Sequence, residues 1–179
     1  MAAGATIHTF DIELADVDRG VYESLTLRVA RHPSETDAFM ITRLLAYCLE
    51  YEEGIAFSEG IAATDEPAVL VRDLTGAITA WIEVGAPDAA RLHYGSKLAG
   101  RTTVYTHRDP AKVIAQWQGA RIHEAEHITV HSFDPGFIDA ATAALERRNA
   151  VTLSVTERQL YLELNGTSLS SGIHDRPIA

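Results

Sequence analysis

The sequence predicts an α/β fold: a mixed β-sheet that contains antiparallel hairpins and is flanked by helices. Three observations predict it. Phe10, Ile12 and Leu14 alternate with Asp11 and Glu13, the period-2 mark of a half-buried strand. Met40, Ile41, Leu44, Leu45 and Cys48 recur at helical spacing. Segments of both kinds then intermingle along the chain, an order that lays helices against a sheet which is not purely parallel.

The elements follow in order. Residues 16–20 are turn-rich, and Leu25, Leu27 and Val29 alternate beyond them, so the first two strands form a hairpin. His32-Pro33-Ser34 stops the second strand. Ser34 is the expected N-cap of the first helix, with Glu35 and Asp37 in its first turn, where the helix dipole favours acids. Gly54 closes that segment. After a loop carrying Thr64-Asp65-Glu66-Pro67, strands are expected over 68–72 and 78–84, joined by the Asp73–Gly76 turn. Gly85, Pro87 and Asp88 break the pattern and start a helix that runs to about Leu98. Thr102 to Thr106 is β-branched and strand-like. Asp109-Pro110 caps a short helix with Val113, Ile114 and Trp117 as its apolar stripe. A strand is expected over 122–133, a helix from Asp134-Pro135 to about Arg147, and a closing hairpin over 151–155 and 160–164. Trp81, Tyr105 and Trp117 are expected in the core.

The chain of 179 residues suits a single domain over 1–179, with residues 168–179 as a loose polar tail. No apolar run approaches the roughly 20 residues that span a bilayer. The first residues lack the basic flank and apolar stretch of a signal peptide. Cys48 is the single cysteine, which excludes an internal disulfide or a multi-cysteine zinc site. A cytoplasmic location is the expectation. The formal charge of −10 opposes bulk attraction to nucleic acid, though a local basic strip can coexist with it.

His123-Glu124-Ala125-Glu126-His127 matches the H-E-x-x-H zinc-protease pattern letter for letter. That chemistry needs a helix, which puts both imidazoles on one face. The β-branched residues that follow favour a strand, in which residues four apart are separated by about 13 Å. The motif is therefore expected to be a His-bearing strand rather than a metal site.

Carboxylates at element boundaries are the stronger candidates. Glu35 opens a helix, Asp65 and Glu66 precede a strand, and Glu83 lies near the end of the next strand. Strand ends and helix starts in α/β folds line the same crevice. Acids gathered there repel one another unless a cation such as Mg²⁺ or Mn²⁺ holds them, and such an ion can activate water beside a phosphoryl group. Each acid also has an ordinary explanation. Glu35 complements a helix dipole, and Asp65 caps a turn. Glu83 is the least ordinary, an acid between Ala80-Trp81-Ile82 and Val84, where an unpaired charge is costly.

Five blocks, Arg31-His32-Pro33-Ser34-Glu35, Arg43-Leu44-Leu45-Ala46, Asp65-Glu66-Pro67, the run from Trp81 to Asp88, and Val104-Tyr105-Thr106, resemble the YaeQ family in order and context. The resemblance covers nearly the whole chain. YaeQ-like proteins are similar in fold to the PD-(D/E)xK superfamily, so it implies a restriction-endonuclease-like core. It further implies an acid on the first core helix (Glu35), one before the second strand (Asp65 or Glu66) and a Glu-x-Lys on the third (Glu83). Here the lysine position is Gly85, and Lys97, fourteen residues after Glu83, is the candidate replacement. Arg91 on the same helix is the alternative phosphate-binding cation.

Three functions follow. The first is a metal-dependent phosphodiesterase, most simply a nuclease. In it Glu35, Asp65, Glu66 and Glu83 hold Mg²⁺ or Mn²⁺, Glu83, Asp65 and Lys97 are catalytic, and Arg91 binds substrate. The second is a non-catalytic module that binds nucleic acid or a protein through the same crevice, for which the carboxylates should lie apart or turn away from one another. The third is a small-molecule phosphohydrolase.

Overall fold

The computed structural model describes residues 4–58 and 65–179. Along the chain run β1 (Thr6–Asp16), β2 (Val21–Arg31), α1 (Asp37–Leu49), β3 (Ile55–Phe57), β4 (Val69–Arg72), β5 (Ile78–Val84), α2 (Ala89–Leu98), β6 (Arg101–Tyr105) and α3 (Pro110–Ala115). A 3-10 turn (Ala125–His127), β7 (Thr129–Phe133), α4 (Phe137–Ala144), β8 (Arg148–Thr156), β9 (Gln159–Leu164) and β10 (Thr167–Pro177) complete it. None of the described helices is long and apolar enough to cross a membrane.

The chain packs as two compact units, Met1–Ile41 with Phe133–Ile173, and Thr42–Ser132 with His174–Ala179. In the first, β2 pairs antiparallel with β1, and β1 lies parallel to β8. The meander β8–β9–β10 continues the sheet antiparallel. Alternation decides the faces: Phe10, Ile12 and Leu14 of β1, Val151, Leu153 and Val155 of β8, and Leu160, Leu162 and Leu164 of β9 are all buried. Two turns are tied together. The Asp18 carboxylate accepts the backbone N–H groups of Glu157 (2.6 Å) and Arg158 (2.9 Å). Both of those residues have positive φ, a conformation costly to side chains with a Cβ.

In the second unit β5, β6 and β7 are parallel neighbours, and β4 and β3 extend the sheet antiparallel from β5. Leu92 of α2 and Val113 and Trp117 at α3 bury against Val104, Ile128 and Val130. Trp81 and Tyr105 are fully buried, and the Trp117 indole N–H donates to the Pro87 carbonyl at 2.8 Å, so the three large rings belong to the interior as expected.

Several expected boundaries move, each for a local reason. Ser34 does not cap α1; its hydroxyl bonds the His32 ring at 2.7 Å, and Thr36 is the cap, its Oγ1 accepting the Phe39 N–H at 3.0 Å. Asp134 does not cap α4; its carboxylate accepts the Gly172 N–H instead, and the helix starts after Gly136. Residues 122–128 are not strand. Glu124 sits in the left-handed region, and Ala125–His127 form a single 3-10 turn before β7 begins at Thr129. The expected tail from residue 168 is strand β10, which reaches Pro177. Thr64, in the expected loop before β4, lies outside the described residues.

Candidate functional site

The carboxyl ends of β5 and β6 and the helices that follow them form the site. On β5, Ile82 and Val84 face one side, while Trp81 and Glu83 face α2. Along α2, Arg91 and Gly95 are four apart and so share a face, about 6 Å apart along the axis. Trp81 and Glu83, two apart on a strand, are separated by about 6.6 Å. The two spacings match, with helix and strand running in opposite senses. Arg91 therefore meets Glu83 while Gly95 meets Trp81, so closely that an added Cβ would lie 2.4 Å from the indole.

Glu83 is only 3% exposed, and both its oxygens are taken by Arg91: Nε donates to Oε2 at 2.7 Å and Nη2 to Oε1 at 3.1 Å. The Ala68 N–H donates to the same carboxylate. Burial pushes the Glu83 carboxyl up from its ordinary range, and Arg91 and Ala68 pull it part of the way back. The hydrogen bond to Glu83 in turn holds the Arg91 guanidinium above its usual value. Nη2 of Arg91 also donates to the Glu66 carbonyl at 2.7 Å, so one guanidinium staples the loop before β4 to the end of β5.

The other expected site residues are placed as follows. Asp65 is exposed. The Glu66 carboxylate turns to Arg72, at 3.0 Å. Glu35 belongs to the first unit, is buried, and lies before α1 rather than within it, with its carbonyl accepting from Arg31. Lys97 is exposed in the last turn of α2. It is six residues beyond Arg91, about 9 Å along the axis and turned some 240° around it, so it does not share the face that meets Glu83. Gly85, in the expected lysine position, has φ +87° and donates its N–H to the Tyr105 carbonyl at 2.8 Å. That left-handed turn favours glycine and explains why no lysine stands there.

A divalent ion does not fit these residues as they lie. Glu83 has spent its oxygens on Arg91 and Ala68, Glu66 is committed to Arg72, and among the described residues no three His, Cys, Asp or Glu side chains gather closely enough to share an ion. The His123–His127 pair is no exception. His123 lies before the 3-10 turn, its N–H donating to the His93 ring at 3.0 Å, and His127 is largely exposed.

Two features here escaped the sequence. Beyond β6, on either side of the expected Asp109 cap of α3, Arg108 and Lys112 are exposed. That they follow the carboxyl end of a strand beside β5 depends on β5 and β6 being parallel neighbours, which no local pattern reports. On the opposite face the Tyr105 hydroxyl donates to Glu50 at 2.8 Å, the Tyr105 ring packs against His131, and His131 Nδ1 lies 2.5 Å from Asp175. Asp175 falls in the stretch expected to be a loose tail, so that pair was invisible.

Known proteins resemble nearly the whole chain. The family model described as YaeQ protein matches residues 1–172. The uncharacterized protein YaeQ of Escherichia coli (strain K12) is 37% identical over 164 residues, which is 90% of each chain. Its namesake in Salmonella typhi is 29% identical over the same length and share. The crystal structure of YaeQ protein from Xanthomonas axonopodis pv. citri superposes with a TM-score of 0.85 at 26% identity, covering 96% of this chain and 98% of that one. That from Pseudomonas syringae gives 0.84 at 30% identity, covering 96% and 95%.

Proposed function

This chain belongs to the YaeQ family, and from that premise we propose that it is a non-catalytic module which binds a nucleic-acid backbone on a restriction-endonuclease-like scaffold. The observation that carries this reading is the bidentate pairing of both Glu83 oxygens with Arg91, with the Ala68 N–H as a third donor. A carboxylate held in a bidentate pair would bind a hydrolytic ion only by giving up Arg91. The same edge of the sheet keeps Arg108 and Lys112 exposed, and neither has a carboxylate partner among the described residues. Crevices at the carboxyl ends of parallel strands are where open α/β sheets take their ligands.

The acidic chain sets the strength of such binding. With two or three cations against phosphates, log K should fall with log salt at a slope of about −1 to −2 on single strands. Binding should therefore be weak and easily lost to salt.

Fluorescence anisotropy with labelled single-stranded DNA and RNA, in EDTA and at several salt concentrations, tests the reading. Binding without metal is expected, weakened in Arg108→Ala and Lys112→Ala. The same oligonucleotides should stay intact with Mg²⁺ or Mn²⁺. Cleavage by the wild type that disappears in Glu83→Gln would overturn the reading in favour of a metal-dependent phosphodiesterase. Absence of any binding would remove the nucleic acid.

A further inference from the structure

We propose that the outward face of β8, β9 and β10, in the first unit, binds a neutral hydroxyl-rich ligand, a sugar or a related polyol. The strand register builds the patch. Thr152, Glu163 and Ser168 stand opposite one another across the three strands, and Ser154, Tyr161 and Ser170 form the next row. Opposed side chains on one face lie about 5 Å apart, and Tyr161 and Glu163, two apart on the central strand, about 6.8 Å. The result is an aromatic ring beside a carboxylate, with hydroxyls on both sides. Together with Leu162 and Leu169, these six residues line an open concavity of about 460 Å³.

The chemistry of the lining selects the ligand. The Tyr161 ring, on a residue 51% exposed, offers a flat surface to the C–H edges of a pyranose. Glu163 makes no ion pair or hydrogen bond through its side chain to any described residue, so both oxygens can accept from neighbouring ligand hydroxyls. Serine and threonine hydroxyls donate and accept, as a polyol requires. Charge excludes the main alternatives. Glu163, with Glu13 beside Thr152 on the neighbouring strand, repels phosphate- or carboxylate-bearing molecules. Leu162, the β9 leucine in the lining, is only 5% exposed, so this side offers little to the apolar face of a partner helix.

Titration of the full-length ¹⁵N-labelled protein with maltotriose and with cellotriose, followed by amide chemical shifts, tests the site. Saturable shifts confined to β8–β10 are expected for at least one sugar, with millimolar affinity. Tyr161→Ala should lose about tenfold in affinity, while Tyr161→Phe, which keeps the ring, should bind as the wild type does. Glu163→Gln, with one acceptor oxygen fewer, should bind more weakly than the wild type. The spectra report at once whether each variant is folded. No saturable shift with either sugar overturns the proposal, as do shifts that persist undiminished in folded Tyr161→Ala. The same holds if these amides respond to a lysine-rich peptide, or to protein concentration through self-association, and not to sugar.

Discussion

Removing the Arg91 guanidinium would leave a buried carboxylate with a single described donor, the Ala68 N–H, and that imbalance defines the clearest residue-scale prediction. Arg91→Ala should lower the unfolding free energy by about 2–4 kcal/mol at neutral pH, read from urea melts, because an uncompensated buried charge is left behind. A loss under about 0.5 kcal/mol would mean that water reaches the carboxylate. The pH dependence has a definite sign. Burial raises the Glu83 pKa above its unfolded value of 4.5, so the folded chain holds a proton there that the unfolded chain has released. Stability from this group falls as pH rises from about 4.5 through the raised value. The defect of Arg91→Ala should shrink on acidification, and Glu83→Gln should abolish that slope. Glu83 was legible in the sequence because an acid amid Trp81, Ile82 and Val84 has no cheap solution. The direction of Lys97 was not legible, because helical phase means little until it is known which face of α2 meets the sheet.

At the scale of elements, α2 is held by a close approach rather than by a broad apolar stripe. Gly95→Ala gains helix propensity of about 0.5–1 kcal/mol yet drives a methyl into the Trp81 indole, and overpacking of that kind costs about 1–3 kcal/mol. The variant should be less stable in thermal melts, and a smaller Trp81→Phe in the same chain should recover part of the loss. The first hairpin was readable because β1 and β2 alternate cleanly and lie adjacent in sequence. The final strand was not, since β10 carries Ser168, Ser170 and Ser171 where an apolar alternation would announce it. Its buried Ser171 is satisfied by the Asp134 N–H, a partner 37 residues away, and distant partners leave no trace in local pattern. The same blindness hid the parallel pairing of β5 with β6 that sets Arg91, Arg108 and Lys112 after neighbouring strand ends.

For the whole molecule, ten net negative charges and several well-placed carboxylates shape the response to acid. Asp18 and Asp73 are both held below the ordinary carboxylate range, Asp18 chiefly by the N–H groups of Arg158 and Glu157, Asp73 chiefly by the Thr75 hydroxyl. A depressed carboxyl adds stability that is present above its unfolded pKa and lost as pH falls through the folded one. Asp18→Asn should therefore unfold at a lower denaturant concentration than the wild type at neutral pH, and the two should converge below about pH 3. A constant gap across that range would mean the turn is held by shape and not by charge.

The bond from the His8 ring to the Glu146 carbonyl joins residues 138 apart, and the parallel seam of β1 with β8 lies beside it. During synthesis the first hairpin must wait, with its inner edge unsatisfied, until most of the chain has left the ribosome. The intervening unit can condense from largely consecutive residues in that interval. A nascent chain arrested before Arg148 should thus hold a protease-resistant middle and a cleavable beginning.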